Sequence, residues 1–130
     1  MEIIETRKAA MPGGHYSQAV VSGGLIFVSG ILPIEPDCKP DASLCFMDQA
    51  NCVLRNAEAI LHEAGVDFSK VVKTTVYITD IGNWPAFDQA YAGAFGAHKP
   101  ARAIVPVLDL HHDFKIEIEL IASAQQKSER

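Results

Sequence analysis

The chain holds 130 residues, which fits one domain, and its 48% apolar and 21% charged residues exclude wholesale disorder. No apolar run approaches the roughly 18 residues needed to cross a bilayer. Eleven Lys+Arg against 16 Asp+Glu leave a net charge of −5, which argues against a protein built to neutralise nucleic-acid phosphates or to sit on anionic lipid.

The start, Met1 to Lys8, has no unbroken apolar stretch behind a basic region, so it does not read as a secretory signal. Ile3-Ile4 predicts a short strand. Gln18–Ser22 and Leu25–Ser29 flank Gly23-Gly24 and predict a hairpin. Pro33, Pro36 and Pro40, with Asp37 and Asp41, mark one polar loop. Ser43 is suited to cap a helix whose apolar face is Phe46, Ala50, Val53, Ala57, Ile60 and Ala64, with Gly65 as its stop. Cys38, Cys45 and Cys52 are an odd set without the close spacing of zinc or redox pairs. Without a secretory signal they read as reduced thiols in a cytoplasmic protein, and Cys45 and Cys52 as small buried apolar residues.

Val71–Ile78 predicts a strand with Val72, Thr74, Val76 and Ile78 on one face and Lys73, Thr75 and Tyr77 on the other. A second helix begins near Asn83 and Pro85, with Phe87, Ala90, Tyr91, Ala94 and Phe95 as its stripe; Gly93 and Gly96 weaken its end. Ala101–Leu108 predicts a strand that Pro106 directs to a sheet edge or a bulge. In Lys115–Ala122, Ile116, Ile118 and Leu120 alternate with Lys115, Glu117 and Glu119. The tail from Gln125 to Arg130 is polar and expected to fray. The order β-β-β-α-β-α-β-β predicts an α+β domain with two helices packed on one face of a mixed sheet, the other face being solvated or buried against a partner.

Arg102 and Glu117 are the candidate chemical pair. A guanidinium fork suits a carboxylate, and a carboxylate can position water or carry a proton. If the segment around Leu110-His111-His112-Asp113 is a hairpin, the last two strands are antiparallel neighbours. Glu117 then sits opposite Val105, with Arg102 a diagonal step away. A structural ion pair is the competing reading. Tyr16 and Ser17 are polar candidates on a loop, although from composition turn chemistry before the hairpin is the stronger reading. Ser29-Gly30 allows close backbone approach, or simply starts a turn. His111-His112-Asp113 lacks the spacing of a metal site, and no P-loop, dinucleotide fingerprint or nucleophile elbow is present.

Pro100-Ala101-Arg102, followed fifteen residues after the arginine by Glu117 within Lys115–Ala122, resembles the RidA (L-PSP) family. Tyr16-Ser17-Gln18-Ala19, Phe27-Val28-Ser29-Gly30 and Val71–Asp80 agree with it, in order, from about Gly13 to Ala122. The resemblance implies a chorismate-mutase-like fold, a homotrimer with sites between subunits, and metal-independent hydrolysis of enamine or imine intermediates such as 2-aminoacrylate to 2-keto acids and ammonia. It implies no cofactor, and the acidic balance adds the expectation of no nucleic acid and no membrane. On that basis Arg102 would clamp the substrate carboxylate, Glu117 would activate water, and Tyr16 would contact substrate or water. Gly30 and Ile104 would complete the cleft, with Ser29 lining it. Binding of a small carboxylate without turnover is the alternative, and endoribonuclease activity a weaker one. The chain departs from the family pattern at Ile104, Ile31 and His15, and the stretch from Tyr91 to Arg102 is about three residues shorter. Ile104 leaves a backbone N–H role open there and rules out a thiol.

Overall fold

Gly23 and Gly24 both adopt left-handed φ angles, 62° and 79°. Two such residues in succession make the tight turn whose twist matches that of paired strands. They join β2 (Ala19–Ser22) to β3 (Leu25–Ile31), and β1 (Glu2–Ile4) pairs with β2 on the outside. The computed structural model describes residues 1–125; most of the expected polar tail lies outside them. After β3 come helix α1 (Phe46–Glu63), β4 (Val71–Ile78), helix α2 (Trp84–Phe95), β5 (Ala101–Pro106) and β6 (Ile116–Ser123). The element order is the one expected.

These strands form one mixed sheet in the order β1-β2-β3-β6-β4-β5. The last of the described strands, β6, is therefore central, antiparallel to both β3 and β4. β5 lies on the far side of β4 and runs parallel to it. This corrects the expected hairpin: β5 and β6 are antiparallel but not adjacent. The crossover through α2 sets β5 beside β4, and the nine residues between β5 and β6 then pass over the end of β4. Two hydrogen bonds fasten that passage: Val107 N–H donates to the Ile78 carbonyl at 2.9 Å, and Thr79 N–H to the Lys115 carbonyl at 3.2 Å.

Both helices cover one face. Ile26, Val28, Val76, Ile78, Ile116, Ile118 and Leu120 point to them and meet Ala50, Val53, Ala57 and Leu61 of α1 and Phe87 of α2, all buried. Burying one such large apolar side chain contributes about 1.5–3 kcal/mol, so the alternation in β6 alone strongly fixes which way that strand faces. No helix among the described residues is long and apolar enough to cross a membrane.

Local details differ from expectation for identifiable reasons. Val72 is exposed and Val71 buried, because the register of β4 against β6 shifts between Val71 and Lys73 and reverses the alternation there. Ser43 does not cap α1; it bonds Asp41 in a local turn, and the helix starts from Cys45. Cys45 is accordingly exposed, as is Cys38, and only Cys52 is buried. Burial pushes the Cys52 thiol up to about 12. β5 stops at Pro106 and leaves Leu108 exposed, while its edge position is what Pro106 implied.

Three buried amides, none singled out by the sequence reading, tie loops to this frame. Gln18 Nε2 donates to the carbonyls of Thr6 and Ala10, and its Oε1 accepts from Thr6 N–H. Gln49 links the Leu44 carbonyl to Lys115 N–H. Asn56 links Ala10 N–H to the Ile34 carbonyl. Buried polar groups of this kind must be bonded, so the segments they hold are fixed in place.

Candidate active site

The expected site residues fall into two groups on opposite faces of the sheet. Arg102 pairs across the strands with Thr74, a buried residue on the helix side. Its guanidinium carbon lies 4.7 Å from the ring centre of Tyr91, 5.7 Å from Trp84 and 6.0 Å from Phe87. Its Nη1 donates to Asp88 Oδ1 at 2.9 Å, with side-chain exposures of 20% for Arg102 and 44% for Asp88. The α2 stripe thus does two jobs: Phe87 and Tyr91 pack the core, and their ring faces attract the cation. Tyr91 is in turn fixed by donating its hydroxyl to Thr74 Oγ1 at 3.0 Å, and burial pushes its phenol up. Ile104 is two residues further along β5, partly buried on the same face.

The second group lies on the face without helices. Between Val28 and Ile31 the register of β3 against β6 slips, so that Ser29 and Gly30 together stand opposite Glu119. Gly30 is thereby set under Glu117. A Cβ on Gly30 would stand 2.2 Å from Glu117 Oε2, so only glycine leaves room for the carboxylate against the backbone. Glu117 is half-buried. Its carboxyl is raised above the ordinary range, by burial first and by Glu119 second, with His111 acting in the opposite sense. Ser29 hydroxyl donates to the Ser17 carbonyl at 2.6 Å, and Ser29 N–H to the Gln18 carbonyl at 3.0 Å. These bonds hold the loop before β2 against β3. Tyr16, next to Ser17, folds back to accept Gly13 N–H at 3.3 Å and stays 53% exposed.

The structure therefore brings Gly30 and Glu117 together, with Ser29 adjacent to Gly30 and bonded to the loop that carries Tyr16, and Arg102 and Ile104 together elsewhere. It does not bring Arg102 to Glu117. The offset read from the sequence is preserved in an unexpected way: Glu117 and Val105 are level, but each pairs with Tyr77 of β4, which lies between them. Two strand spacings and three residues along the strands separate Arg102 from Glu117 by roughly 14 Å, on opposite faces. The same opposition answers the competing reading: Arg102 has an ion-pair partner, but it is Asp88.

Comparison with known proteins decides the family. The family described as endoribonuclease L-PSP matches residues 6–124. The chain belongs to the L-PSP, or RidA, family. A RutC family protein of Pyrococcus abyssi is 42% identical over 121 residues, spanning 93% of this chain and 95% of that protein. Reactive Intermediate Deaminase A of Arabidopsis thaliana is 39% identical over 122 residues, 94% of this chain and 65% of that protein. Escherichia coli TdcF, solved with bound serine, superposes with a TM-score of 0.89 at 35% identity, covering 96% of this chain and 100% of that one. This RidA-family chain has the family's α+β fold, and the match extends a few residues past both ends of the expected span.

Two residues of the site escaped the sequence reading. Asp88 follows Phe87 in α2 and is the helix's one charged residue, which was its only signal. His111 was considered only as a metal ligand, whereas it lies within electrostatic reach of Glu117. No periodicity could show that, because the loop carrying it takes left-handed φ at His112 (62°) and Asp113 (60°).

Proposed function

We propose that this protein hydrolyses protonated 2-imino acids, formed from enamines such as 2-aminoacrylate, to 2-keto acids and ammonia, at sites shared between copies of the chain. The observation that carries the proposal is Glu117, a half-buried carboxylate seated on Gly30 and raised above the ordinary carboxylate range. Its raised proton affinity makes such a carboxylate a better acceptor for a proton from water than an ordinary one. The names of relatives, reactive intermediate deaminase among them, support the same chemistry.

Arg102 receives the substrate carboxylate on the part of its guanidinium fork that Asp88 leaves open. Water polarised by Glu117 adds to the C=N carbon. One water proton passes through Glu117 to nitrogen, giving a protonated carbinolamine. Its hydroxyl then gives its proton to Glu117 as the C–N bond breaks and the keto C=O forms, and the departing ammonia takes that proton from Glu117 to leave as ammonium. Carbon, nitrogen and charge balance without a redox partner. Tyr16 contacts the water or substrate, and Ser29 and the backbone of Gly30 and Ile104 line the cleft.

Arg102 and Glu117 cannot serve one substrate within a single chain, so the reading requires the helix-side group of one subunit to meet the open-face group of another. Exposed Ile3, Phe27 and Val105 supply apolar surface for a homotrimer. Three free thiols fit the cytoplasm. An RNA-cleaving reading has less support, because the chain's net charge is −5 and two of its carboxylates, Glu117 and Glu119, stand on the open face.

The test is release of 2-keto acid from imines generated in situ by an amino acid oxidase. Wild-type protein should accelerate release, Arg102→Ala should abolish the acceleration, and Glu117→Gln should lower turnover about 10²-fold or more. Undiminished rates in Arg102→Ala overturn the assignment. Ligand binding without any acceleration favours a carboxylate-binding module.

A further inference from the structure

Arg102 meets a carboxylate of its own chain before any ligand arrives. Asp88 Oδ1 takes one N–H of Nη1 at 2.9 Å, while the guanidinium rests near Tyr91. An arginine has five N–H donors in a rigid fork, so four remain. Asp88 is 44% exposed and faces the solvent through which a ligand must approach. The Tyr91 hydroxyl is committed to Thr74, and Trp84 and Phe87 present apolar rings. Among the described residues the only ion-pair partner of Asp88 is Arg102.

A ligand carboxylate that docks on the open N–H groups becomes the second anion on one cation. Two carboxylates a few ångströms apart repel, the more so where water is partly excluded. The repulsion is relieved when the ligand carries a positive nitrogen next to its carboxylate, because that nitrogen then lies beside Asp88. A protonated 2-imino acid has this arrangement and a 2-keto acid does not. We infer that Asp88 is a specificity-determining residue that favours ligands with a cationic nitrogen adjacent to the carboxylate over ligands with a carboxylate alone. The inference rests on the proposed role of Arg102. It deepens that role, since hydrolysis removes the cationic nitrogen and leaves the 2-keto acid product facing Asp88 uncompensated.

The experiment measures calorimetric dissociation constants of pyruvate and L-alanine, which share a carbon skeleton and differ in the charged nitrogen. The proteins are the full chain as wild type, Asp88→Asn, Asp88→Ser, Asp88→Glu and Arg102→Ala. Asparagine keeps an oxygen that accepts from Nη1, so it removes the charge and leaves the hydrogen bond. Asp88→Asn should bind pyruvate about fivefold tighter and L-alanine about fivefold weaker, the scale of a partly exposed charge pair. Asp88→Ser should shift both in the same directions, and Asp88→Glu should keep the wild-type preference. A shift of both ligands in the same direction, or of neither, overturns the role of Asp88 and leaves that of Arg102 standing. Failure of the wild type to bind either ligand, or undiminished binding by Arg102→Ala, overturns both.

Discussion

Glu117 is held where its ionised form is disfavoured, half-buried on Gly30 and near Glu119. Its folded-state pKa is raised, so between the ordinary glutamate range and the raised value the native chain binds more protons than the unfolded one. Stability therefore falls as pH rises through that window. The penalty is fully present above the raised pKa and absent below the ordinary range. Glu117→Gln removes the titrating group, so it should raise the melting temperature at neutral pH, and the advantage should fade on acidification. Thermal unfolding of both proteins across pH checks this; a variant less stable than wild type at neutral pH would contradict the strained-carboxylate reading. Stability gained together with turnover lost is the pattern expected of a functional group kept at a structural cost.

At the scale of elements, the buried amides do what apolar packing cannot. Gln49 fixes the start of β6 to the start of α1 by bonding Lys115 N–H and the Leu44 carbonyl. Gln49→Leu keeps the bulk and strands both partners, so it should destabilise the chain by about 2–4 kcal/mol, read by denaturant unfolding. A loss under about 0.5 kcal/mol would show that water replaces the amide. The elements themselves were legible because periodicity is local: β6 and α1 announce themselves by alternation and by three-to-four spacing. Their neighbours were not. Strand pairing is a property of distant segments, and nothing in Ala101–Ser123 says that β4 will lie between its two strands. Likewise the slips at Val71 and at Ser29-Gly30 arise from pairing with β6, so the exposure of Val72 had no local signature, and Gly30 announced a close approach without saying that Glu117 makes it. The candidate residues were found as chemical types, while their division into two groups came only with the sheet order.

For the whole molecule, that division makes a quantitative prediction. Arg102→Ala and Glu117→Gln are each defective, but unfolded and reassembled together they form some sites with both residues intact. One intact site needs an arginine donor beside a glutamate donor, so random mixing should restore about a quarter of wild-type turnover in a closed ring of identical interfaces. Recovery of nothing would mean that each chain works with its own pair, contrary to the geometry. β6 also sets an order of events. Among the described residues it is the only strand joining the β1-β2-β3 half of the sheet to the β4-β5 half, and it leaves the ribosome after the other five. Until it inserts, the two halves share no ladder and their inner edges are bare. Folding then awaits contacts between segments far apart in the chain, the kind that close slowly, and a nascent chain that stops short of β6 has neither a continuous sheet nor Glu117.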